Sequence, residues 1–341
     1  MEKIGTLGVV MPVYNEGDWP LRALVALRRS ATRADWPIEV VVIDDGSTDP
    51  ASIAVLAGIA TSDDVTLIRQ MNAGRFAARR NGIDALDTEH TLLLDARVEV
   101  DEDSLGRIAD EIRGRGPEVW NFDVFPSSDH VSSLFWNGIT KVWWRAYFRD
   151  RRRVSFSIDD FDRYPKGTGA FFAPTALIRD AMSEFRSHFD DPRFASDDTS
   201  LLRSLAGRQP ITITPEINCR HHAKNGLRQW IRQARHRGTT FVDGYLDDPS
   251  RAPMILGAIG LTAGGTVVAA LVAPRETAAV AAAGCVAATA VTRSSGGSWK
   301  ESGVVGLLAL PFSVLFGSSA IRGLLMAIRG SRRAASTRVT D

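Results

Sequence analysis

Residues 8–14 read GVVMPVY and residues 39–45 read EVVVIDD, and each apolar run passes directly into polar residues. Short apolar and β-branched runs of this kind are typical of strands that are buried on both faces of a parallel sheet. Between the two runs, Leu21–Ala31 places leucine and valine side chains at helical spacing. The stretch therefore predicts a strand–helix–strand unit, the repeating unit of an α/β fold with a mostly parallel central sheet.

The same alternation continues as far as residue 113. Asp49-Pro50 indicates a helix start, with aspartate as the N-cap and proline in the first turn. No G-x-G-x-x-G motif follows the first strand, which argues against a dinucleotide-dependent dehydrogenase. The remaining predicted elements are strands over Val65–Ile68 and Thr91–Leu94 and helices over Ala73–Leu86 and Asp103–Arg113.

Polar segments follow the predicted strands: PVYNE (12–16), DDGSTD (44–49), NAG with RRNG (72–74 and 79–82), and DAR (95–97). Ligands of parallel α/β sheets bind at the carboxyl ends of the strands. Carboxylates accept hydrogen bonds from a nucleobase or a ribose, while arginines and helix N-termini hold phosphates. Any one of these segments is explained equally well as a turn. Because all of them meet at one sheet edge, they predict a nucleotide-binding site.

Taken together, PVYNE, DDGSTD and the NxG…RN stretch resemble the family 2 glycosyltransferases of GT-A fold. Gly167-Thr168-Gly169 and SDDT (196–199) reinforce the resemblance, which covers about residues 6–245. It implies an inverting transfer of one sugar from a nucleotide-sugar to an acceptor hydroxyl. It also implies a set of donor-binding residues: Pro12, Tyr14, Glu16, Asp44, Asp45, Arg80, Asp95, Ala96, Gly169 and Arg235.

The resemblance implies individual roles for the donor-binding residues. Tyr14 and Glu16 would line the nucleoside pocket. Asp44 or Asp45 would meet the base, and Arg80 would lie near the donor diphosphate.

The resemblance also implies which residues act on the acceptor side. Asp198 matches the second acid of the family's Glu-Asp motif, which serves as the catalytic base, and Asp197 stands in the place of the Glu. Gly169 would allow close backbone approach in the acceptor cleft.

The metal motif of the family is Asp-x-Asp, whereas this chain has Asp95-Ala96-Arg97. An arginine cannot ligate a metal, although its cation can stabilise a diphosphate. Three interpretations stay open. Arg97 replaces the metal, or Mn²⁺ or Mg²⁺ binds through Asp95 aided by Glu99 or a histidine such as His222, or the protein has lost catalysis and keeps only binding. The metal is slightly favoured, because a divalent ion carries twice the charge and Asp95 remains.

His221-His222 follows a predicted strand over residues 211–215. By the resemblance, a histidine at this position lies near the metal or the diphosphate. A neutral imidazole ligates a metal, and an imidazolium donates hydrogen bonds to phosphate. A pair of surface histidines at a strand end explains the same residues equally well.

Two further segments combine aromatic residues with arginines. Leu227–Gly238, LRQWIRQARHRG, resembles the Arg-rich helix that closes over the donor, and it contains Arg235. Its order departs from Q-x-x-R-W, so processive polymer synthesis is not supported. Phe135–Phe148 is rich in Trp and Tyr and precedes several arginines, which is typical of a lipid-headgroup interface and equally of an amphipathic core helix.

The composition changes near residue 250, where charged residues become scarce. The first of the apolar runs that follow is long enough to cross the ~30 Å hydrocarbon layer of a membrane as a helix. We predict a GT-A domain over residues 1–248 and a membrane region over residues 249–341, and the alternative is a buried helical hairpin in a soluble protein. The three runs are Ala252–Pro274, Thr277–Thr292 and Gly303–Ile328.

The arginines predict the orientation of this membrane region. No signal-peptide pattern precedes the first strand, so we expect the GT-A domain to be cytoplasmic. The arginines after residue 321 prefer the same side of the membrane. Both ends on one side require an even number of crossings, as in a hairpin of the first two runs with the third run in the interface. Three crossings rank second. The expected location is therefore the cell membrane, with a multi-pass anchor.

The composition excludes several other classes of protein. A chain of 341 residues with 44% hydrophobic and 24% charged residues is neither disordered nor fibrous. A net charge of +1 argues against a nucleic-acid-binding protein. Two cysteines provide neither a disulfide framework nor a Cys-based zinc site.

The expected partners follow from the donor site and the anchor. They are a nucleotide-sugar, a lipid-linked or cell-envelope polysaccharide acceptor and membrane lipid, and a homo-oligomer is left open. The alternatives are transfer of the sugar onto polyprenyl phosphate itself and a non-catalytic scaffold that binds nucleotide-sugars.

Overall fold

The computed structural model describes residues 4–116, 118–189, 191, 197–245 and 272–337, with the backbone alone for Asp197, Pro274 and residues 330–337. The described residues fall into two compact units. The described residues of the first unit lie within Met1–Ser127, Asp150–Phe185 and Asp197–Ala223. The described residues of the second unit lie within Ser128–Arg149, Arg186–Ser196 and Lys224–Asp341.

The first unit begins with alternating strands and helices. Each strand and helix for which the sequence predicts both bounds begins and ends within two residues of its observed bounds. The predicted start of α2 is also observed, and the short β5 is an addition. The elements are β1 (Leu7–Val13), α1 (Trp19–Arg33), β2 (Ile38–Asp44), α2 (Pro50–Ile59), β3 (Val65–Arg69), α3 (Arg75–Asp84), β4 (His90–Leu94), β5 (Val98–Val100) and α4 (Ser104–Arg113).

The remainder of the first unit adds shorter strands and two helices. These elements are β6 (Trp120–Asn121), β7 (Asp123–Pro126), β8 (Val154–Phe156), a 3₁₀ helix (Ile158–Arg163), β9 (Ala170–Pro174), α7 (Thr175–Glu184), α8 (Asp197–Arg208), β10 (Ile211–Ile213) and β11 (Asn218–His221).

The strands form two sheets. The larger has the order β3-β2-β1-β4-β9-β6-β10-β8, and the smaller has the order β5-β11-β7. β1 pairs in parallel with β2 and β4, and β2 pairs in parallel with β3. β9 is antiparallel to its neighbours β4 and β6. The predicted α/β fold with a mostly parallel central sheet is therefore confirmed, with β9 inserted as an antiparallel strand.

The register of β1, β2 and β4 determines where the functional side chains lie. Val13 at the end of β1 is opposite Asp44 at the end of β2, and Val10 is opposite Leu93 near the end of β4. Because these strands are parallel, the segments that follow them leave the sheet at the same edge.

Two local features position the helices that flank this edge. The side chain of Asp49 accepts a hydrogen bond of 2.9 Å from the backbone N–H of Ser52, which confirms the predicted N-cap of α2. Gly82 lets α3 approach β1 closely, since a Cβ at this position would lie 2.4 Å from Val10 Cγ1. The buried residues of α3 are Ala78, Arg79, Gly82 and Ile83.

The second unit is helical in its described part. Its helices are α5 (Val131–Trp143), α6 (Arg145–Arg149), α9 (Leu227–Tyr245), α10 (Pro274–Ser294) and α11 (Trp299–Thr337). A buried cluster holds α5, α9 and α11 together through Phe135, Trp136, Trp230, Ala234 and Val305.

Two segments of these helices, Arg275–Ser294 and Trp299–Arg329, are long and apolar enough to cross a membrane by length and composition. They contain the second and third apolar runs predicted from the sequence. The first run is Ala252–Pro274, and its residues 252–271 lie outside the described part of the chain. Candidate membrane helices are thus present at the C-terminal end of the described chain, while the number of crossings stays a prediction.

Candidate active site

The acids after β2 organise the loops at the sheet edge. Asp45 Oδ1 accepts hydrogen bonds from Gln70 Nε2 at 2.7 Å and from the backbone N–H of Ala73 at 2.8 Å. Asp45 Oδ2 accepts from the backbone N–H of Gly74 at 3.0 Å. The neighbouring Asp44 accepts from the backbone N–H of Ser47 at 2.8 Å. Both predicted base-binding acids are buried and hold backbone in place.

Gly46 makes the tight turn of the DDGSTD motif possible. Its φ of +78° lies in the left-handed region that favours glycine. A Cβ at this position would also lie 2.8 Å from the backbone nitrogen of Asn72. The glycine therefore permits the close approach of the loops that follow β2 and β3.

Arg79 joins two acids that are distant in the sequence. Its side chain is 1% exposed, with Nη2 2.9 Å from Asp95 Oδ1 and Nη1 2.9 Å from Asp198 Oδ1. Asp95 follows β4, whereas Asp198 lies in the first turn of α8. Thr168 donates a further hydrogen bond from Oγ1 to Asp198 Oδ1. The structure thus brings Asp95 and Asp198 to opposite sides of one guanidinium.

The surroundings of Asp198 keep its carboxylate ionised. Desolvation raises its pKa, but the positive charges of Arg79 and Arg75 and the hydrogen bonds from Thr168 and Arg79 outweigh it. Their combined effect lowers the pKa from 3.8 to about 2. The carboxylate is therefore fully ionised at neutral pH, as a proton acceptor must be before the reaction.

A second ion pair lies beside Asp95. Arg97 donates from Nε to Glu16 Oε2 at 2.6 Å, and both side chains are less than one fifth exposed. The guanidinium carbon of Arg97 lies 5.0 Å from the ring centroid of Trp19. The segments after β1 and β4 are therefore joined by one charged pair that packs on an aromatic ring.

His222 continues this cluster. Its ring centroid lies 4.5 Å from that of Trp19, and its Nε2 is 3.0 Å from Glu99 Oε2. Its backbone N–H donates to the carbonyl oxygen of Arg97 at 2.9 Å. The residue after β11 is thereby fixed next to the residue after β4.

The other predicted donor-side residues lie on the same strands or near their ends. Pro12 is half-buried within β1, and Tyr14 directly after the strand is 45% exposed. Ala96 is buried. The carbonyl oxygen of Gly169 accepts from the backbone N–H of Asp95 at 2.8 Å. Gly169 is thus in direct contact with the segment that carries the metal motif in the family.

Of the remaining predicted site residues, two are exposed on helices and the third is described only by its backbone. Arg80 is exposed on α3, whereas the adjacent Arg79 is buried. Arg235 is exposed on α9 of the second unit. Asp197 begins α8, and its side chain lies outside the described part of the chain.

A family model described as Glycosyl transferase family 2 matches residues 8–179, just over half of the 341 residues. The chain belongs to glycosyl transferase family 2. The matched range contains β1 to β4 and the segments PVYNE, DDGSTD and NxG…RN, on which the sequence resemblance depends. The family expected from these motifs is confirmed.

Curated relatives match shorter segments. The undecaprenyl-phosphate 4-deoxy-4-formamido-L-arabinose transferase of Proteus mirabilis is 28% identical over 109 residues, which cover 31% of this chain and 33% of that protein. The uncharacterized glycosyltransferase YibD of Escherichia coli is 31% identical over 100 residues, which cover 29% of this chain and 28% of that protein. The chain thus matches about a third of the length of these curated relatives.

A solved structure shares the fold over most of the chain. It is the mannosyltransferase PcManGT from Pyrobaculum calidifontis in complex with GDP-Man and Mn²⁺, with a TM-score of 0.57 and 16% identity. The match covers 95% of this chain and 88% of that chain. The GT-A fold expected for this family 2 member is confirmed.

The described residues after β4 do not group into a protein site for the divalent ion that the family's Asp-x-Asp motif binds. In the part of the chain that the structure describes, no group of three or more His, Cys, Asp or Glu side chains could hold a metal ion. Asp95 accepts a hydrogen bond from Arg79, and His222 is paired with Glu99. Both side chains thus lie against protein groups, and metal binding by Asp95 and His222 stays a prediction.

Arg79 and Trp19 lie in the candidate site of this family 2 chain, but the sequence motifs did not predict them as site residues. The signal for Arg79 is present in α3, because Gly82 and Ile83 lie three and four residues further along and share its buried face. Only one of two adjacent arginines can occupy that face. Trp19 follows PVYNE closely, but nothing local in the sequence indicates that it contacts His222.

Proposed function

We propose that this family 2 chain is an inverting glycosyltransferase that moves a sugar from a nucleotide-sugar to a hydroxyl group. The observation that carries the proposal is the buried Arg79 held between Asp95 and Asp198. A buried arginine that joins a strand-end acid to an ionised acid on α8 is typical of a prepared active site, where charges are fixed before substrate arrives.

Asp198 accepts the proton of the acceptor hydroxyl in this mechanism. The acceptor oxygen forms a bond to the anomeric carbon, while the bond from that carbon to the donor phosphate oxygen breaks. The electron pair of the broken bond stays with the leaving diphosphate. The attacking oxygen becomes cationic as its new bond forms, and its proton becomes more acidic. The proton can therefore transfer to a carboxylate, even to one of low pKa. Attack from the face opposite the diphosphate inverts the anomeric centre.

Arg79 acts as a positioning residue for Asp198. It touches both acids and is 1% exposed, so it orients the carboxylate rather than contacting a substrate. The same guanidinium fixes Asp95 beside the backbone of Gly169.

The donor nucleoside is assigned to the end of β1. Tyr14 offers an exposed ring, and the acids after β2 hold the surrounding loops in place. An aromatic face and fixed backbone groups can bind a nucleobase by stacking and hydrogen bonding. The roles of Tyr14, Asp44 and Asp45 in this binding are proposals.

The acceptor is assigned to the lipid-linked or cell-envelope glycans, and polyprenyl phosphate itself is the second candidate. Support comes from the two candidate membrane helices and from the name of the Proteus mirabilis relative, which refers to undecaprenyl phosphate. In this proposal residues 249–341 attach the chain to the membrane and residues 1–248 work at its cytoplasmic face. The attachment would keep the site close to such acceptors.

Donor binding and turnover test the proposal together. Full-length protein in detergent is screened by thermal shift against UDP-, GDP- and dTDP-sugars, with EDTA and with Mn²⁺. Stabilisation by one donor, followed by release of its nucleoside diphosphate in the presence of a membrane-lipid extract, is the expected result. Binding without any release of diphosphate would favour the non-catalytic scaffold. No binding of any donor would contradict the proposal.

A further inference from the structure

The leaving diphosphate needs a positive charge near it, since its own negative charge grows as the sugar bond breaks. Acids are numerous after or within β1, β2, β4 and β5: they are Glu16, Asp44, Asp45, Asp95 and Glu99. In a typical family member a divalent ion would balance them, but the described side chains do not group into a metal site. Among the described residues, an arginine near the end of β4 is the kind of cation that can take this role.

Arg97 is held in a way that leaves part of its guanidinium accessible. Glu16 engages its Nε at 2.6 Å, and Trp19 packs against the guanidinium plane at 5.0 Å. The side chain is 19% exposed. Its two terminal nitrogens donate no hydrogen bond to residues within the described parts of the chain. Arg79 differs, because its two terminal nitrogens are bound to Asp95 and Asp198.

We propose that Arg97, oriented by Glu16 and Trp19, binds the diphosphate of the donor in place of a divalent ion. Two parallel N–H donors on a planar guanidinium match two phosphate oxygens, which a point charge does not do. As the sugar bond breaks, its electron pair moves onto the phosphate oxygen, and the fixed cation stabilises the charge. This inference rests on the proposed function, because it assumes a nucleotide-sugar donor.

Calorimetric binding of UDP, GDP and dTDP to the full-length protein, in EDTA and then in Mn²⁺, tests the inference without measuring transfer. The wild-type protein should bind one of them in EDTA. Arg97→Ala should weaken that binding about 10- to 100-fold, as expected for the loss of charged hydrogen bonds. Arg22→Ala is the matched control, because exposed Arg22 lies over the same Trp19 ring at 4.8 Å. It should leave binding unchanged.

A double variant separates the loss of the cation from the loss of the charge that neutralises Glu16. Arg97→Ala removes the charge that Arg97 places beside Glu16, and the negative charge of Glu16 would then repel a diphosphate more strongly. Arg97→Met with Glu16→Gln removes both charges and keeps apolar volume beside Trp19. Binding should remain weakened in this double variant. Thermal unfolding of each variant checks that the fold is intact.

The outcomes distinguish this inference from the proposed function. Wild-type binding that requires Mn²⁺, undiminished binding by Arg97→Ala, or full recovery in the double variant would each overturn the role of Arg97 and leave the proposed function standing. Failure of the wild-type protein to bind any of the nucleotides in either condition would overturn the proposed function, and this inference with it.

Discussion

Arg79 divides its two terminal nitrogens between Asp95 and Asp198, and this sharing determines the electrostatics of the site. Desolvation raises the pKa of Asp198, but the charges of Arg79 and Arg75 and the hydrogen bonds lower it from 3.8 to about 2. A folded-state pKa below the unfolded one means that ionised Asp198 stabilises the fold. That contribution is fully present above pH 3.8 and is lost as the pH falls through about 2.

Arg79→Gln should move the acid limb of kcat/KM to higher pH. Without the cation, the charge and the hydrogen bond of Arg79 no longer lower the pKa of Asp198. The pKa therefore rises, and the carboxylate is protonated at a higher pH than in the wild-type enzyme. The wild-type profile should be flat down to the pH at which the protein unfolds. A pH series of donor turnover for the wild-type enzyme and the variant measures the difference.

Two checks accompany this variant. Removal of one partner from a buried ion pair costs about 3–5 kcal/mol. The loss here should be smaller, because Asp95 and Asp198 are 28% and 38% exposed. Arg29→Gln on the exposed side of α1 makes the same charge change and should keep the wild-type profile. An Arg79→Gln enzyme with an unshifted acid limb would contradict the pairing described here.

Glycines permit the close packing of α9 on α11 in the second unit. A Cβ at Gly238 would lie 2.4 Å from the carbonyl oxygen of Phe316, and one at Gly323 would lie 2.5 Å from that of Thr239. Thr239 Oγ1 also donates to the carbonyl oxygen of Ser319 at 3.3 Å. Backbone atoms cannot move aside as the end of a flexible side chain can. The contact therefore depends on small residues at these positions.

Gly323→Ala should destabilise the second unit, and Gly317→Ala on the same helix should not. The added methyl group at position 323 forces α9 and α11 apart, at a cost of about 1–3 kcal/mol. A methyl group at position 317 would meet no atom of the described residues within 4 Å, so alanine there gains helix propensity. Thermal unfolding of both variants in detergent compares them. Equal melting temperatures would contradict the close contact.

Strong local patterns predicted the strands and helices as far as residue 113. β1, β2 and β4 are apolar runs bounded by turn residues, and Asp49 caps α2 as its sequence indicates. The strand-end acids could be placed at one edge because parallel strands share a direction. This part of the fold follows from periodicity and needs no tertiary information.

Long-range contacts could not be predicted in the same way. The choice of Arg79 over Arg80 depends on which face of α3 meets β1, and that face is set by Gly82. The pairing of Arg97 with Glu16 joins residues 81 positions apart. Phe135 and Trp136 suggest a lipid surface as readily as a core, and only their contacts show that they pack on Trp230 and Phe312.

Several apolar side chains on α10 and α11 are exposed in the described part of the chain. Val286 on α10 and Leu307 and Val314 on α11 are 70%, 73% and 61% exposed. Rows of exposed apolar residues are typical of contact with lipid or a partner. The later part of α11 packs against α9, which carries several arginines, and charged residues are costly at the bilayer centre. We therefore expect this part of α11 to lie at the membrane–water interface.

Truncation after residue 248 should give a chain that aggregates without detergent. It removes α10 and α11, which exposes the apolar cluster around Phe135 and Trp230. It also leaves Lys141 without Glu301, to which its Nζ is 2.7 Å. Size-exclusion chromatography in detergent-free buffer measures the outcome, with the full-length protein in detergent as the reference. A monodisperse, folded fragment would contradict the packing of the second unit.

Donor turnover of Asp198→Asn measures whether Asp198 acts as the general base. Once the nucleotide-sugar donor is identified, release of its nucleoside diphosphate is measured for wild-type and variant at saturating donor. The proposed general base predicts a kcat lower by about 10²- to 10⁴-fold with nearly unchanged donor affinity. Asp63→Asn makes the same charge change at an exposed position and should keep full activity. An Asp198→Asn enzyme that retains most of its turnover would contradict the account.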